Sequence, residues 1–218
     1  MAKLTLYLVR HGQTYFNIYN KLQGWSNSPL TKNGIQNALD TGRKLAEVKF
    51  AAAYSSDTTR AEDTAELILA ENHQSNLTKA TKSSYFREQF YGSFEGDNMD
   101  AVWAKVGAPQ HLTSFAEIIE SFSIAEAKDM MKLADPFHDA EDQHEYWERI
   151  QKGFKLISEN HNLQDGDNVL VISHGNTLLS LMELYGKGQF DLKIRPQNGS
   201  ITKLELDNSK IKVLSYNQ

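Results

Sequence analysis

The sequence predicts an α/β protein with three layers, α/β/α, in which helices cover both faces of a mostly parallel sheet. Two buried-strand runs, 4–9 and 169–172, each lead into a histidine that is followed by a glycine. Strand-like and helix-like segments alternate between them, which is typical of parallel sheets covered by helices. A stretch at about 85–140 interrupts this alternation and predicts a helical insertion over the site.

The first half of the chain predicts three strands and two helices. Thr31 can cap the first helix, to which a broken apolar stripe of Ile35, Leu39, Leu45 and Val48 belongs. The elements are a strand at 5–9, a long loop through Pro29, a helix from Thr31, a strand at 50–54, a helix at 58–71 and a short strand at 78–84.

The second half begins with the insertion, which is aromatic at its start and mostly helical in pattern further on. We expect residues 1–218 to form a single domain that includes it. The elements after it are a helix at 140–160, a strand at 168–173, a helix at 177–185 and two strands at 200–206 and 210–215, joined by a tight turn.

The composition limits the classes of function. A net charge of −5 argues against a nucleic-acid or anionic-membrane partner. Without cysteine, the chain has no disulfide, no thiolate zinc site and no cysteine nucleophile. The apolar run at 4–9 is too short for a signal peptide, and no run approaches the ~20 residues that span a membrane. We therefore expect a cytoplasmic protein.

His11 and His174 are the candidate catalytic histidines. Each follows a strand, and ligands of open α/β sheets bind at the carboxyl ends of the strands. His11 lies between Arg10 and Gly12, an environment suited to an oxyanion, because the glycine would let the backbone approach a ligand. A neutral imidazole has a free lone pair and can attack phosphorus without a separate base. His174 precedes a predicted helix start, where backbone N–H groups bind anions.

Arg60 falls in the first turn of the helix predicted at 58–71. A cation is unfavourable at a helix N-terminus unless an anion binds there. Arg60 is therefore a candidate anion ligand, and the alternative is a solvated arginine paired with Asp57 or Glu62.

Glu88 is the candidate proton donor. It lies in an aromatic stretch, 85–94, and a carboxyl in such surroundings can protonate a leaving alkoxide. Glu95 is the rival carboxyl, and an exposed loop glutamate is the alternative interpretation of Glu88.

Together these motifs resemble the histidine phosphatase superfamily, whose best-known branch contains the cofactor-dependent phosphoglycerate mutases. The matches follow the family order from residue 5 to about 180, whereas 97–140 matches no family pattern. They are Leu6 to Thr14 with Arg10-His11-Gly12, Asn17, Gln23-Gly24-Trp25, Pro29-Leu30-Thr31 with Gly34, Ser55 to Ala65, Arg87-Glu88, Tyr91-Gly92, Glu95-Gly96 and Ser173-His174-Gly175-Asn176.

The resemblance implies a role for each matching residue. His11 would be the nucleophile that becomes a phosphohistidine, and Glu88 would donate a proton and later activate water. Arg10, Arg60 and His174 would bind the phosphoryl oxygens. No metal or other cofactor is expected, because these groups already neutralise the transferring group. The residues lining the phosphate and substrate region would be Asn17, Gln23, Gly24, Gly175 and Asn176.

The chain departs from the mutase branch where a lysine and paired arginines would hold the carboxylate of phosphoglycerate. The stretch 96–100 has no lysine, and no arginine occurs between Glu88 and Glu148. Burying a carboxylate without a partner is costly. We therefore predict a phosphomonoesterase that hydrolyses a small phosphorylated substrate, with phosphoglycerate mutase as the alternative. The cations between those two glutamates are Lys105, Lys128 and Lys132.

Two further classes stay open. A non-catalytic module that binds a phosphorylated ligand would use the same pocket without needing Glu88. A metal hydrolase built on His11 and His174 would need carboxylates or thiolates at ligand spacing, which neither histidine has nearby. The sequence predicts neither the natural substrate nor the oligomeric state.

Overall fold

The computed structural model describes residues 2–218, and within them six strands form one sheet. The order across the sheet is β3-β2-β4-β1-β5-β6, where the first four are joined by parallel pairings and the last two strands pair antiparallel. The predicted mostly parallel sheet is confirmed, and the C-terminal hairpin makes one edge antiparallel. The strands are β1 Lys3–Arg10, β2 Phe50–Ser55, β3 Thr81–Lys82, β4 Asn168–Ser173, β5 Ile201–Asp207 and β6 Lys210–Ser215.

Helices cover both faces of the sheet, as predicted. Because successive side chains of a strand point to opposite faces, Leu6 and Leu8 of β1 pack on one side and Val9 on the other. The helices are α1 Tyr15–Ile18, α2 Lys32–Lys44, α3 Thr59–Ala70, α4 Met99–Gly107, α5 Phe115–Ser121, α6 Ile124–Ala134, α7 Gln143–Ser158 and α8 Gly175–Tyr185. Apolar side chains of α7 and α8 cover the Leu6 face, and those of α2 and α3 cover the Val9 face.

The insertion is helical, as predicted, and it encloses an apolar cluster of its own. Trp103, Ile118 and Met131, from α4, α5 and α6, are buried in this cluster. The insertion is joined to the sheet domain through α8, where the Glu183 carboxylate accepts the N–H groups of Ile124 and Ala125 at 2.6 and 3.1 Å. The first turn of α6 is thereby tied to the helix that follows β4.

Three details differ from the sequence prediction. α8 begins at Gly175, because His174 has extended backbone dihedral angles and serves as its N-cap. The loop predicted through Pro29 contains the one-turn helix α1. On α2, Ile35 is 42% exposed, so the predicted apolar stripe is wrong there. The buried positions of α2 are the small residues Gly34, Ala38, Thr41 and Gly42.

Within residues 2–218, none of the helices is both long enough and apolar enough to cross a lipid bilayer.

Candidate active site

The two candidate histidines leave adjacent parallel strands side by side. Arg10 of β1 is in register with Ser173 of β4, and the His11 N–H donates to the Ser173 carbonyl at 3.1 Å. Because both strands end at the same edge of the sheet, the rings of His11 and His174 lie with their centroids 5.2 Å apart.

His11 is held as a neutral imidazole with one nitrogen free. Its Nδ1–H donates to the Gly12 carbonyl at 2.8 Å, which leaves the lone pair on Nε2. Burial, together with the charges of Arg60 and Arg10, lowers the pKa of His11 well below 6.5. The ring is therefore neutral at neutral pH, and its Nε2 lone pair can act as a nucleophile.

His174 is also buried and is hydrogen-bonded at both ring nitrogens. Arg60 Nη2 donates to its Nδ1 at 3.1 Å, so its Nε2–H donates to the Ser56 hydroxyl at 2.8 Å. Burial lowers the pKa of His174 well below 6.5, and the charge of Arg60 lowers it further. Ser56, which in turn bonds Thr58 at 2.8 Å, is a site residue that the sequence analysis missed.

Arg10 and Arg60 lack a carboxylate partner within residues 2–218; Arg60 is buried, and Arg10 is half-buried with its Nε enclosed. Arg60 donates to the carbonyls of Ser26 and Gly24 at 2.9 and 2.7 Å. Arg10 donates to the Pro196 carbonyl. Burial, as the largest cause, lowers the pKa of each arginine to about 10, so both remain charged at neutral pH.

The Nε–H groups of Arg10 and Arg60 are buried and have no acceptor within the described part of the chain. A buried donor without an acceptor costs about 1–3 kcal/mol, and more when it is charged. A phosphoryl oxyanion would supply acceptors for both. The two orphaned donors therefore fit a tetrahedral anion beside His11.

Glu88 and Glu95 occupy different places. The Glu88 carboxylate accepts the backbone N–H of Asn176 at 2.7 Å, the Thr177 hydroxyl at 2.9 Å and the Gln89 N–H at 3.1 Å. It thus lies against the first turn of α8, next to His174. Of the three donors, only the Thr177 hydroxyl can rotate to accept a hydrogen bond from a protonated carboxyl.

Glu95 accepts four backbone N–H groups and lies beneath the loop at 23–26. These donors come from Gly24, Trp25, Ser26 and Tyr91 at distances of 2.8–3.2 Å. Because all four donors are backbone groups, the Glu95 side chain fixes the shape of this loop.

The predicted substrate-region residues surround these groups. Within residues 2–218, the buried Oδ1 of Asn176 and the buried Nε2 of Gln23 have no hydrogen-bond partner. Asn17 Oδ1 accepts the N–H of Thr14, and the Gly24 carbonyl accepts from Arg60. A Cβ on Gly175 would lie 3.3 Å from the Arg10 guanidinium carbon, so this glycine lets the arginine pack against the start of α8.

Gly12, the residue after His11, allows the loop after β1 to pack closely against the backbone of α2. A Cβ on Gly12 would lie only 2.3 Å from the carbonyl oxygen of Gly34 on α2. The absence of a side chain therefore lets the loop after β1 contact α2 closely, whereas the sequence analysis assigned this glycine to the approach of a ligand.

The loop 187–199 contributes residues that the sequence analysis missed. Asn198 Nδ2 donates to the His11 carbonyl at 2.9 Å. Arg195, which is exposed, stacks on the ring of Phe115 in α5 with its guanidinium carbon 5.2 Å from the ring centroid. After burial, the charge of Arg195 is the next largest cause that lowers the pKa of Arg10. No motif marks this loop, and its residues reach the site only through the fold.

Among residues 2–218, no three histidine, aspartate or glutamate side chains are grouped so that they could hold a metal ion.

Comparisons with known proteins identify the family of the chain. The model of the histidine phosphatase superfamily, branch 1, matches residues 6–218. The 2,3-bisphosphoglycerate-dependent phosphoglycerate mutase of Bradyrhizobium sp. (strain ORS 278) is 33% identical over 190 residues, which cover 86% of this chain and 83% of that protein.

Two solved structures share the fold. A phosphoglycerate mutase from Bacillus anthracis str. Sterne superimposes with a TM-score of 0.90 at 36% identity, over 100% of this chain and 94% of that one. The α-ribazole phosphatase of Shigella flexneri has a TM-score of 0.68 at 20% identity, over 98% and 96% of the two chains, a likeness that shows the fold alone. From the family match and these relatives, the chain belongs to branch 1 of the histidine phosphatase superfamily.

Proposed function

We propose that the protein is a phosphomonoesterase that hydrolyses a small phosphorylated substrate through a phosphohistidine on His11. The observation that carries the proposal is the state of His11: its Nδ1–H donates to the Gly12 carbonyl, and burial and the charges of Arg60 and Arg10 lower the pKa of the ring. An unprotonated imidazole next to unpaired guanidinium groups is suited to attack a phosphate dianion.

The reaction balances over two displacements. His11 Nε2 attacks phosphorus, the bond to the leaving oxygen breaks, and Glu88 donates a proton to that oxygen. Water then attacks the phosphohistidine, Glu88 takes its proton, and the P–N bond breaks to restore the imidazole. Arg10, Arg60 and His174 stabilise the charge on the phosphoryl oxygens in both steps.

The insertion supports water as the acceptor, because each of its three lysines is engaged by another group of the protein. Lys128 is buried and donates to the Ser180 hydroxyl at 2.8 Å. Lys132 pairs with Glu145, and Lys105 lies 4.6 Å from the centroid of the Phe94 ring. The substrate proposed is accordingly a phosphomonoester without a required carboxylate, and neither a nucleic acid nor a membrane is expected as partner.

Phosphoglycerate mutase is the second candidate, and one observation favours it. Arg195 provides a cation from outside the segment between Glu88 and Glu148, and it is close enough to lower the pKa of Arg10. The names of the curated relatives and of the B. anthracis structure support this candidate more than they support hydrolysis. Both candidates share the first half-reaction on His11.

The shared step is tested by trapping the enzyme with labelled phosphomonoester. An acid-labile, alkali-stable phosphoenzyme should form, and His11→Gln should abolish both label and turnover. His73→Gln is the matched control, because the His73 side chain is 68% exposed and pairs only with Glu47. Full turnover by His11→Gln would overturn the proposal.

The acceptor is tested by comparing rates. Hydrolysis of a panel of phosphomonoesters should exceed phosphoryl transfer to 3-phosphoglycerate in the presence of 2,3-bisphosphoglycerate. Mutase turnover far above hydrolysis would select the second candidate. Phosphate binding without turnover of any ester would indicate a binding module, and loss of activity with a chelator would indicate a metal hydrolase.

A further inference from the structure

We infer that Arg149 and Glu141 form a clamp that positions Glu88 for proton transfer, an inference that rests on the proposed function. The two side chains are only 12% and 11% exposed. Arg149 Nε and Nη2 donate to the two carboxylate oxygens of Glu141, each at 2.6 Å. Such a bidentate pair has fixed geometry, because the guanidinium fork and the carboxylate are both planar.

The arginine of this pair holds the backbone that carries Glu88. Arg149 Nη2 donates to the Glu88 carbonyl at 3.0 Å, and Nη1 donates to the Arg87 carbonyl at 2.9 Å. Longer contacts from Nη1 reach the carbonyls of Ser84 and Tyr85 at 3.3 and 3.2 Å. Every N–H group of the guanidinium is thus engaged with Glu141 or with the segment 84–88.

The glutamate of the pair holds the same segment from its other end. Glu141 Oε2 accepts the Phe90 N–H at 2.9 Å, and the Glu141 N–H donates to the Phe90 carbonyl at 2.9 Å. The Gln89 side chain donates to the Glu141 carbonyl at 3.0 Å. Residues on both sides of Glu88 are therefore fixed to one ion pair, which joins the end of the insertion to α7.

The clamp binds the main chain of Glu88 and not its carboxylate, which lies at the candidate site. The Glu88 carboxylate bonds α8, whereas Arg149 touches only the Glu88 main chain. Arg149 is thus a positioning residue, and its loss should affect the proton-transfer step more than the binding of phosphate. Lysine at 149 keeps the charge but lacks the fork, so it cannot hold Glu141 and two carbonyls together.

A leaving-group comparison tests the inference. Protonation matters for a poor leaving group, such as an alkyl alcohol, and little for p-nitrophenolate. We expect Arg149→Lys to lower kcat/KM about 10- to 100-fold for an alkyl phosphate and less than about threefold for p-nitrophenyl phosphate, since general acid catalysis contributes about 10²–10⁴-fold. Glu88→Gln should show the same selectivity more strongly.

Glu141→Gln is the second variant, because it keeps the shape of the side chain and weakens the pair if Arg149→Lys does not fold. Arg43→Lys is the matched control, since Arg43 is exposed on α2 and pairs with Asp40. Equal losses on both esters, or wild-type selectivity in the two clamp variants, would overturn the inference.

The same data separate this inference from the proposed function. Glu88→Gln could lose more activity on the alkyl phosphate than on p-nitrophenyl phosphate while the Arg149 and Glu141 variants do not. In that case only the clamp inference is wrong. If the wild type hydrolyses neither ester, or if Glu88→Gln loses the same activity on both esters, the proposed role of Glu88 falls and the clamp inference falls with it.

Discussion

The imidazole rings of His11 and His174 lie 5.2 Å apart and are tilted by 56° to each other. They are 163 positions apart in the chain (174 − 11), and the parallel pairing of β1 with β4 brings them together. His174 is linked through Arg60 to the loop at 23–26, and His11 is linked through its carbonyl to Asn198. The spacing leaves both rings able to contact one phosphoryl group.

The first prediction concerns protonation of the two rings. Burial and the neighbouring arginines lower both pKa values well below 6.5, so each ring should stay neutral as the pH falls from neutrality through 6.5. NMR titration of the histidine ring signals, assigned with His11→Gln and His174→Gln, measures this. Titration of either ring at or above the ordinary histidine value would contradict the prediction.

The same shifts have a consequence for stability. In the unfolded chain both histidines bind protons below about 6.5, whereas the folded protein resists protonation until a lower pH. Their contribution to stability is therefore complete above about pH 6.5, the unfolded-state value, and it is lost as the pH falls from there through the folded-state pKa values. Denaturant unfolding of wild type and His11→Gln should show a smaller acid-side decrease in the variant.

The sequence was sufficient to predict the sheet ends that carry His11 and His174. Buried parallel strands are continuous apolar runs, so their limits can be read directly, and the residue after each run must lie at the same edge. The first residue of α8 is harder to predict, because a histidine N-cap followed by glycine and asparagine has low helix propensity.

Other parts of the site have no local signal. Arg195 and Asn198 belong to the loop between α8 and β5. This loop has no hydrophobic periodicity, so their positions depend on the path of the chain between the two elements. Whether Glu88 or Glu95 contacts α8 also depends on tertiary contacts, since both lie within or next to the aromatic stretch 85–94. The Glu141–Arg149 pair falls within one predicted helix, and its hydrogen bonds to Arg87, Glu88 and Phe90 are tertiary contacts that no local pattern marks.

The second prediction is that anions stabilise the protein through Arg60. The orphaned Nε–H groups of Arg10 and Arg60 should bind inorganic phosphate or vanadate, and saturation at about 100 times Kd adds about 2.7 kcal/mol. For a chain of this size, each kcal/mol raises Tm by about 2–4 °C. Thermal unfolding with phosphate, against chloride at equal ionic strength, measures the shift.

Arg60→Lys keeps the charge but loses the guanidinium donors, so its phosphate-dependent shift in Tm should be much smaller. Comparing shifts makes the result independent of how much the substitution itself destabilises the protein. An equal shift in wild type and variant, or an equal shift with chloride, would show that the two arginines do not form the anion site.

The third prediction separates Glu88 from Glu95. Glu95→Gln removes a carboxylate that accepts four backbone N–H groups, so the free energy of unfolding should fall by about 1–3 kcal/mol. The preference of Glu95→Gln for good over poor leaving groups should match that of the wild type. Denaturant unfolding and kcat/KM on two esters provide the two measurements. A leaving-group-dependent loss in Glu95→Gln would identify Glu95, and not Glu88, as the proton donor.

The fourth prediction concerns Arg195 and the choice between hydrolysis and mutase chemistry. Arg195 carries a charge beside Arg10 and stacks on Phe115, so it can meet an anionic group at the far end of a substrate. If 3-phosphoglycerate places its carboxylate there, Arg195→Gln should raise KM about 10- to 100-fold for that substrate, since a hydrogen bond to a charged group contributes about 1.5–3 kcal/mol. Phenyl phosphate, which has no carboxylate, should be hydrolysed at nearly the wild-type kcat/KM.

Lys193→Gln is the control for this comparison, because Lys193 lies on the same loop and pairs with Glu120 at 2.8 Å. A selective loss of 3-phosphoglycerate turnover in Arg195→Gln alone would assign the carboxylate to Arg195 and strengthen the mutase candidate. Equal effects of Arg195→Gln on both substrates would mean that the arginine acts only through its charge beside Arg10. In that case hydrolysis would be the favoured activity, since the lysines of the insertion are buried, paired or stacked on an aromatic ring.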